Sequence, residues 1–409
     1  MRLLGLTVFV TVLICYVSLI ETFRFRGKQR SPVIFIPGDG GNQLEASLNK
    51  TTAVHYLCEK VSNGFFNIWL NLELLVPIII DCWIDNMKLI YDNETRETKN
   101  PDGVDIRVAG WGDPFVVEYL DPSRASPGSY FNNIGNMLVT KLGYVRNVSL
   151  KGAPYDFRKG PNENEEYFIL LKALIEETYT NNNNSAVTLI AHSMGGPMSL
   201  LFLQRQTQLW KNKYISSLIT LAGAWGGSVK ALKVFAIGDD LGALLLRGKI
   251  LKDQQITSPS LGWLLPSKLF WKNDEVLVET QLKNYTFADM REYLIDINVP
   301  NAWEFRKDNE KYQLDFRAPG VELHCLHGEK VQTVEKLLYK AGVAIDGSPE
   351  LVPGDGDGTV NQRSLEGCTH WKGQQKQKIY HQPFPGVDHM KILSDAGVID
   401  YVRKVLDFN

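Results

Sequence analysis

The chain has 409 residues, 44% of them hydrophobic and 22% charged, with a formal net charge of −2. That length suits one large α/β domain with insertions or two domains, and no internal repeat or low-complexity tract is evident. No long basic or acidic block is present, so nucleic acid is not an expected partner.

In chain order, Arg2 supplies a positive charge before the uncharged apolar run Leu3 to Ile20. This is the pattern of a secretory leader, so residues 1–24 are expected to be a signal peptide, with the cut placed only roughly, around residues 20–26. An uncleaved anchor is the alternative, and no later apolar run approaches the ~20 residues that span a bilayer. Val33–Ile36 reads as a buried strand ending in the turn Pro37-Gly38-Asp39-Gly40-Gly41.

Between Cys58 and Cys82, twelve apolar residues fall within the sixteen positions from Phe65 to Ile80, with Pro77 inside. The run is too apolar for a solvated loop and too short to cross a membrane. Residues 55–85 are therefore expected to dip into a lipid interface, with Trp69 at headgroup depth and Leu70, Leu72, Leu74 and Leu75 as further contacts. A buried helical hairpin is the alternative.

Helical spacing of Phe168, Leu171, Leu174 and Ile175 predicts a helix over Glu165 to Tyr179. Val187 to Ile190 is a strand, a helix follows from Pro197, and Ile215 to Leu221 is the next strand. Alternating strands and helices imply a mostly parallel sheet covered on both faces. Residues 226–320 lose the alternation and read as a cap or lid insertion that includes Leu241 to Leu246. The pattern resumes at Val321 to Leu326, and the chain closes with an amphipathic helix, Asp395 to Leu406.

Between the strand at Val187 and its helix lies Ala191-His192-Ser193-Met194-Gly195. A serine between small residues on a sharp strand-to-helix turn reads as a nucleophile elbow. Serine needs a base, and the base an orienting acid; in an α/β-hydrolase fold these follow in the order Ser, Asp/Glu, His. His389, in a turn just before the final helix, is the expected base. His324 and His327 flank Cys325 on a predicted strand and suit core or surface roles, while His370 and His381 are expected to be structural or exposed. Asp357, in Gly354-Asp355-Gly356-Asp357-Gly358, is the expected acid, with Asp355 second. Read from Asp355 as a calcium loop, the segment reaches Glu366 at the twelfth position, but its other ligand positions are wrong. The Met194 amide is one expected oxyanion donor, and the turn Gly38-Asp39-Gly40 is expected to supply the other. A carboxylate beside an oxyanion is repulsive unless protonated or turned away, so Asp39 predicts activity favoured at acid pH.

Four cysteines outlast the leader, which takes Cys15: Cys58, Cys82, Cys325 and Cys368. Three pairings are open, with the nearest-neighbour one, Cys58–Cys82 and Cys325–Cys368, preferred. No Cys-x-x-Cys spacing occurs, so no zinc site is expected, nor any other metal or cofactor. Sequons at Asn49, Asn93, Asn147, Asn183 and Asn284 agree with a secretory route.

Taken together, these segments resemble the lecithin:cholesterol acyltransferase family. The resemblance rests on Pro37-Gly38-Asp39, Gly41 to Ala46, Ile68 to Leu75, Asp81 to Asn86, Gly152-Ala153-Pro154-Tyr155-Asp156, the elbow, Gly354 to Val360, and His389. It implies an α/β-hydrolase fold, a Ser193–Asp357–His389 triad, oxyanion amides at Asp39 and Met194, and the two nearest-neighbour disulfides. It places a membrane-binding element on the Cys58–Cys82 stretch and a mobile lid on roughly residues 235–265. The lysosomal phospholipase branch fits better than the plasma sterol acyltransferase branch, which carries free cysteines at the positions of Asp39 and Gly196. The implied activity is removal of an acyl chain from a glycerophospholipid at a membrane surface. An acyl-Ser193 intermediate would then pass that chain to water or to a lipid alcohol such as ceramide. The implied location is the lysosome lumen, with secretion as a second destination, and a secreted phosphatidylcholine-sterol acyltransferase is the alternative. Ala224 stands where the family usually has Pro, Gly196 where the lysosomal branch has Asn, and Ala341 to Val352 matches poorly.

Overall fold

A computed structural model describes residues 30–124, 128–240, 248–312 and 315–408. The predicted leader and the run Leu241–Leu246 lie outside them. At the centre is a six-stranded sheet in the order Ile379–Pro385, Leu323–Glu329, Ile215–Leu221, Val187–His192, Val33–Ile36 and Leu150–Gly152. Every neighbouring pair is parallel. Each residue of Val33–Ile36 and of Val187–His192 is buried, so both faces of the sheet centre are covered. That is why these strands read as continuous apolar runs without alternation. The helices Glu165–Asn181, Gly195–Gln204 and Ala396–Phe408 stand within two residues of every bound that periodicity predicts for them.

Two strands escape the sequence pattern. Leu150–Gly152 is only three residues long, and Ile379–Pro385 contains Pro383 and Pro385. Both lie at sheet edges, where a missing ladder donor is tolerated.

The segment between Cys58 and Cys82 is neither a hairpin of helices nor a uniform surface. It contains the strand Phe66–Trp69, a short helical turn Leu72–Leu75, and the start of the helix Ile80–Met87. The expected lipid contacts divide accordingly. Trp69, Leu70 and Leu75 are buried, so their placement at a lipid interface is corrected. The Trp69 indole N–H donates to Gly40 O (2.8 Å), and its ring packs against Trp83 and Phe157. The large apolar side chains open to water in this segment are Val61, Phe65, Leu72, Val76 and Ile78, with Leu74 half-buried. Both nearest-neighbour disulfides, Cys58–Cys82 and Cys325–Cys368, are present.

A second hydrophobic cluster, with Leu232, Phe235, Trp271, Leu277, Tyr293 and Leu337 among its members, lies apart from the main core. It is backed by a four-stranded sheet in the order Asn284–Thr286, Val276–Glu279, Thr333–Leu338 and Glu350–Gly354. Two of those strands come after residue 320, so this sheet extends beyond the 226–320 stretch. The core strand Leu323–Glu329 passes between the cap's two halves in sequence. Among the described residues no helix is long and apolar enough to cross a membrane. All five sequon asparagines are exposed.

Candidate active site

Ser193 sits where Val187–His192 ends and Gly195–Gln204 begins, with φ of 53°. A left-handed backbone is costly for a residue with a side chain, and here the surroundings hold it. The Ser193 N–H donates to Leu221 O (2.9 Å), and its carbonyl accepts from Gly196 N (3.0 Å). Small neighbours are obligatory. A Cβ on Gly195 would lie 2.5 Å from Pro37 O, and one on Gly38 would lie 2.6 Å from Ser193 Cβ.

His389 Nε2 lies 2.9 Å from Ser193 Oγ, and His389 Nδ1 lies 2.7 Å from Asp357 Oδ2. Asp357 is fully buried and its other oxygen accepts from Thr359 N (3.0 Å) and Val360 N (2.8 Å). Burial pushes its carboxyl up, but the charge and hydrogen bond of His389 and the two amides outweigh burial. The carboxyl is held below the ordinary carboxylate range. Asp355, the second candidate, is exposed and spends its carboxylate on the amides of Lys330 and Gly356 (2.7 Å each). The structure thus brings together Ser193, His389 and Asp357 and leaves Asp355 as a turn residue. His324 and His327 are buried in the strand beside Cys325. His370 is exposed and His381 half-buried.

The Met194 amide precedes the first turn of the elbow helix, where N–H groups are not consumed by helical bonding. Asp39 lies in the turn closed by Gly41 N to Gly38 O (3.1 Å), beside the elbow. The residue is exposed by area, yet protein crowds its carboxyl. The loss of hydration lifts that carboxyl to about 7.

Three further side chains build the frame of this turn. Gly38 N–H donates to Tyr130 Oη (3.1 Å), and Tyr130 O–H donates to His192 Nδ1 (2.5 Å). His192 Nε2–H donates to His389 O (2.9 Å), a carbonyl that can only accept. One chain of bonds therefore joins the Gly38 turn to the loop of His389. Burial and the nearby His389 hold His192 down at about 3, so it stays neutral in acid and the chain persists. Tyr155 O–H donates to Pro37 O (2.9 Å) from the other side. His192 was within reach of sequence reading, since it belongs to the elbow itself. Tyr130 carries no local signal.

The family model for lecithin:cholesterol acyltransferase matches residues 65–396. A lysosomal phospholipase A and acyltransferase of Canis lupus familiaris is 45% identical over 378 residues, covering 92% of each chain. The Homo sapiens protein of the same description is 45% identical, over 92% of this chain and 90% of its own. A phosphatidylcholine-sterol acyltransferase of Gallus gallus is 40% identical, over 88% of this chain and 87% of its own.

Proposed function

The chain belongs to the lecithin:cholesterol acyltransferase family, and from that premise we propose that it is a serine phospholipase A and acyltransferase of the lysosome lumen, reached through the secretory pathway. The observation that carries the proposal is the hydrogen-bonded series Ser193 Oγ, His389, Asp357 on a strained elbow. His389 removes the Ser193 proton as Oγ attacks the ester carbonyl of a glycerophospholipid. The amides of Met194 and Asp39 hold the oxyanion. The lysolipid alkoxide leaves with the proton from His389, and the acyl group stays on Ser193. Water or a lipid alcohol such as ceramide then gives its proton to His389 and takes the acyl group, and His389 returns that proton to the departing Ser193 Oγ. Asp357 holds the imidazole in place and stabilises its charge during both steps. The exposed Leu72, Val76 and Ile78 are the lipid-facing group of the element spanning 55–85. Glycans on the five exposed asparagines suit a lumenal protein.

The sterol acyltransferase reading is kept as the rival, and the higher identity to the lysosomal relatives, 45% against 40%, favours the phospholipase. The test is acyl transfer from phosphatidylcholine liposomes containing ceramide and sterol, at about pH 4.5 and about pH 7.4. Free fatty acid and acylceramide are expected, favoured in acid, with Ser193→Ala reduced by at least ~10³-fold. Transfer to sterol at neutral pH would move the protein to the rival branch. Unchanged activity in Ser193→Ala would overturn the triad.

A further inference from the structure

Away from the Ser193 machinery, two imidazoles face each other across neighbouring strands. His327 lies on Leu323–Glu329 and His381 on Ile379–Pro385, and their Nε2 atoms are 2.7 Å apart. His327 is fully buried, and its Nδ1 lies 2.8 Å from Gly328 O. A carbonyl only accepts, so His327 carries its proton on Nδ1 and turns the Nε2 lone pair toward His381. This is the second-sphere arrangement that prepares histidine as a metal ligand. The Glu366 carboxylate completes a set of three ligand atoms all within 4.8 Å of one another. Gln362 Nε2 holds Oε1 of that carboxylate at 2.8 Å. The Cys325–Cys368 disulfide fixes the group, since Cys325 is two residues before His327 and Cys368 two residues after Glu366. The other cluster of such residues among those described, His55 with Cys58 and Cys82, has its sulfurs tied in a disulfide and offers no thiolate.

Two imidazoles and a carboxylate are the donor set of a borderline divalent transition metal. We infer that His327, His381 and Glu366 form a zinc-class metal site, completed by water, that staples the strand Leu323–Glu329, whose end lies against the acid loop, onto the strand leading to the base loop. Tetrahedral coordination at Zn–N of 2.0–2.1 Å asks for nitrogens roughly 3.3 Å apart, so the rings part by about half an ångström from their hydrogen-bonded contact. His381 moves its proton from Nε2 to Nδ1 through solvent, and no other covalent change is needed. Lys372, whose charge reaches His381, is exposed and screened by water. The staple sits close to the reacting groups without touching them. A Cβ on Gly328 would lie 3.2 Å from Asp357 Cβ, and Gly386 N–H, in the turn that leads to His389, donates to Glu329 O (2.8 Å).

The test uses the full-length glycoprotein, stripped with chelator and with Ser193 blocked by a fluorophosphonate so that zinc cannot engage His389. Zn²⁺ is added at about pH 7.5, where imidazoles are free to ligate, and calorimetry and thermal unfolding are read. The expected result is one equivalent bound and a midpoint raised by several degrees. His381→Gln, on an edge strand, and Glu366→Gln, at a half-buried position, should each weaken binding at least ~10-fold and lose most of the midpoint rise. Co²⁺ in place of Zn²⁺ should give visible absorption from a four-coordinate site that Glu366→Gln alters, which keeps a readout if His381→Gln fails to fold. Absence of binding at about 100 µM Zn²⁺, or binding unchanged in the variants that fold, would overturn the site. Neither result depends on which lipid the enzyme acylates.

Discussion

A carboxylate next to a developing oxyanion raises the barrier by repulsion, and Asp39, held at about 7, sheds that charge as the pH falls below neutrality. Asp39→Asn removes the charge at every pH. Its expected rate profile is flatter than wild type, with the ratio of activity at acid to neutral pH falling several-fold. A profile that superimposes on wild type would remove Asp39 from the pH response. The same shift has a stability consequence. A carboxyl raised in the fold binds its proton more tightly there than in the unfolded chain. Its stabilising contribution is therefore present below about pH 4 and is lost as the pH rises through about 7. Asp39→Asn should lose less stability than wild type over that window in thermal unfolding. A second prediction concerns Tyr130, which is bonded to both Gly38 and His192. Tyr130→Phe keeps the ring and deletes the hydroxyl. The expected effect is a roughly 10–100-fold fall in kcat with little change in KM, because the oxyanion turn loses its register with the base. A change in KM alone would show that Tyr130 acts on lipid binding. Ser193, Asp357 and His389 were legible because each sits in a local pattern: small residues about a serine, glycines about a carboxylate, a turn before the last helix. Tyr130 reaches the site only through the tertiary fold. So do His327 and His381, which stand 54 residues apart with no telling spacing.

At the scale of elements, the stretch from Phe65 to Ile80 shows why composition located a feature without orienting it. Its apolar density is real, but it breaks into a four-residue strand, a four-residue helical turn and the start of a helix. None of these pieces is long enough to display a period, so the buried and exposed faces cannot be told apart from spacing. The fold decides instead. Trp69 goes inward because its indole N–H finds Gly40 O and its ring finds Trp83 and Phe157, whereas Val76 and Ile78 have no such neighbours and stay open. The two groups should respond differently to substitution. Replacing Leu72, Val76 and Ile78 together with Ser should weaken liposome binding roughly 100–200-fold, at about 1 kcal/mol for each partly inserted side chain. Hydrolysis of a water-soluble short-chain ester should be unchanged. Trp69→Ala should instead cost about 3–5 kcal/mol of stability through the cavity it leaves, and lower both activities. Equal loss on lipid and soluble ester in the triple variant would show that these residues support the fold and do not bind membrane.

Across the whole molecule, the α/β plan was legible because the central strands are apolar without interruption and alternate with periodic helices. The cap was not, because its chain is not contiguous. A linear reading ends the insertion at 320, whereas Thr333–Leu338 and Glu350–Gly354 return to complete its sheet. The joint between cap and body is consequently buried and polar. Asn361, fully buried, accepts from Val229 N (3.0 Å) at the start of the cap helix Val229–Ile237. It donates to Val334 O (2.8 Å) and Glu335 Oε2 (2.6 Å) on the cap sheet. Ser228 O–H donates to Thr359 O (2.5 Å), and Thr359 N–H donates to Asp357. The cap helix, the cap sheet and the acid loop therefore share one set of hydrogen bonds. Asn361→Ala leaves a buried N–H and a buried carbonyl without partners, and should cost roughly 2–4 kcal/mol. Thermal unfolding should show a midpoint lowered by several degrees. If the joint also positions the acid, the surviving folded enzyme should react more slowly with a fluorophosphonate at Ser193, because Asp357 no longer holds His389 as firmly. Cutting the exposed Arg403–Asp400 pair is the matching control, since a surface ion pair contributes ~0–1 kcal/mol and neither measurement should move. A lowered midpoint with an unchanged labelling rate would confine Asn361 to holding the cap, and separate the cap's stability from the chemistry beneath it.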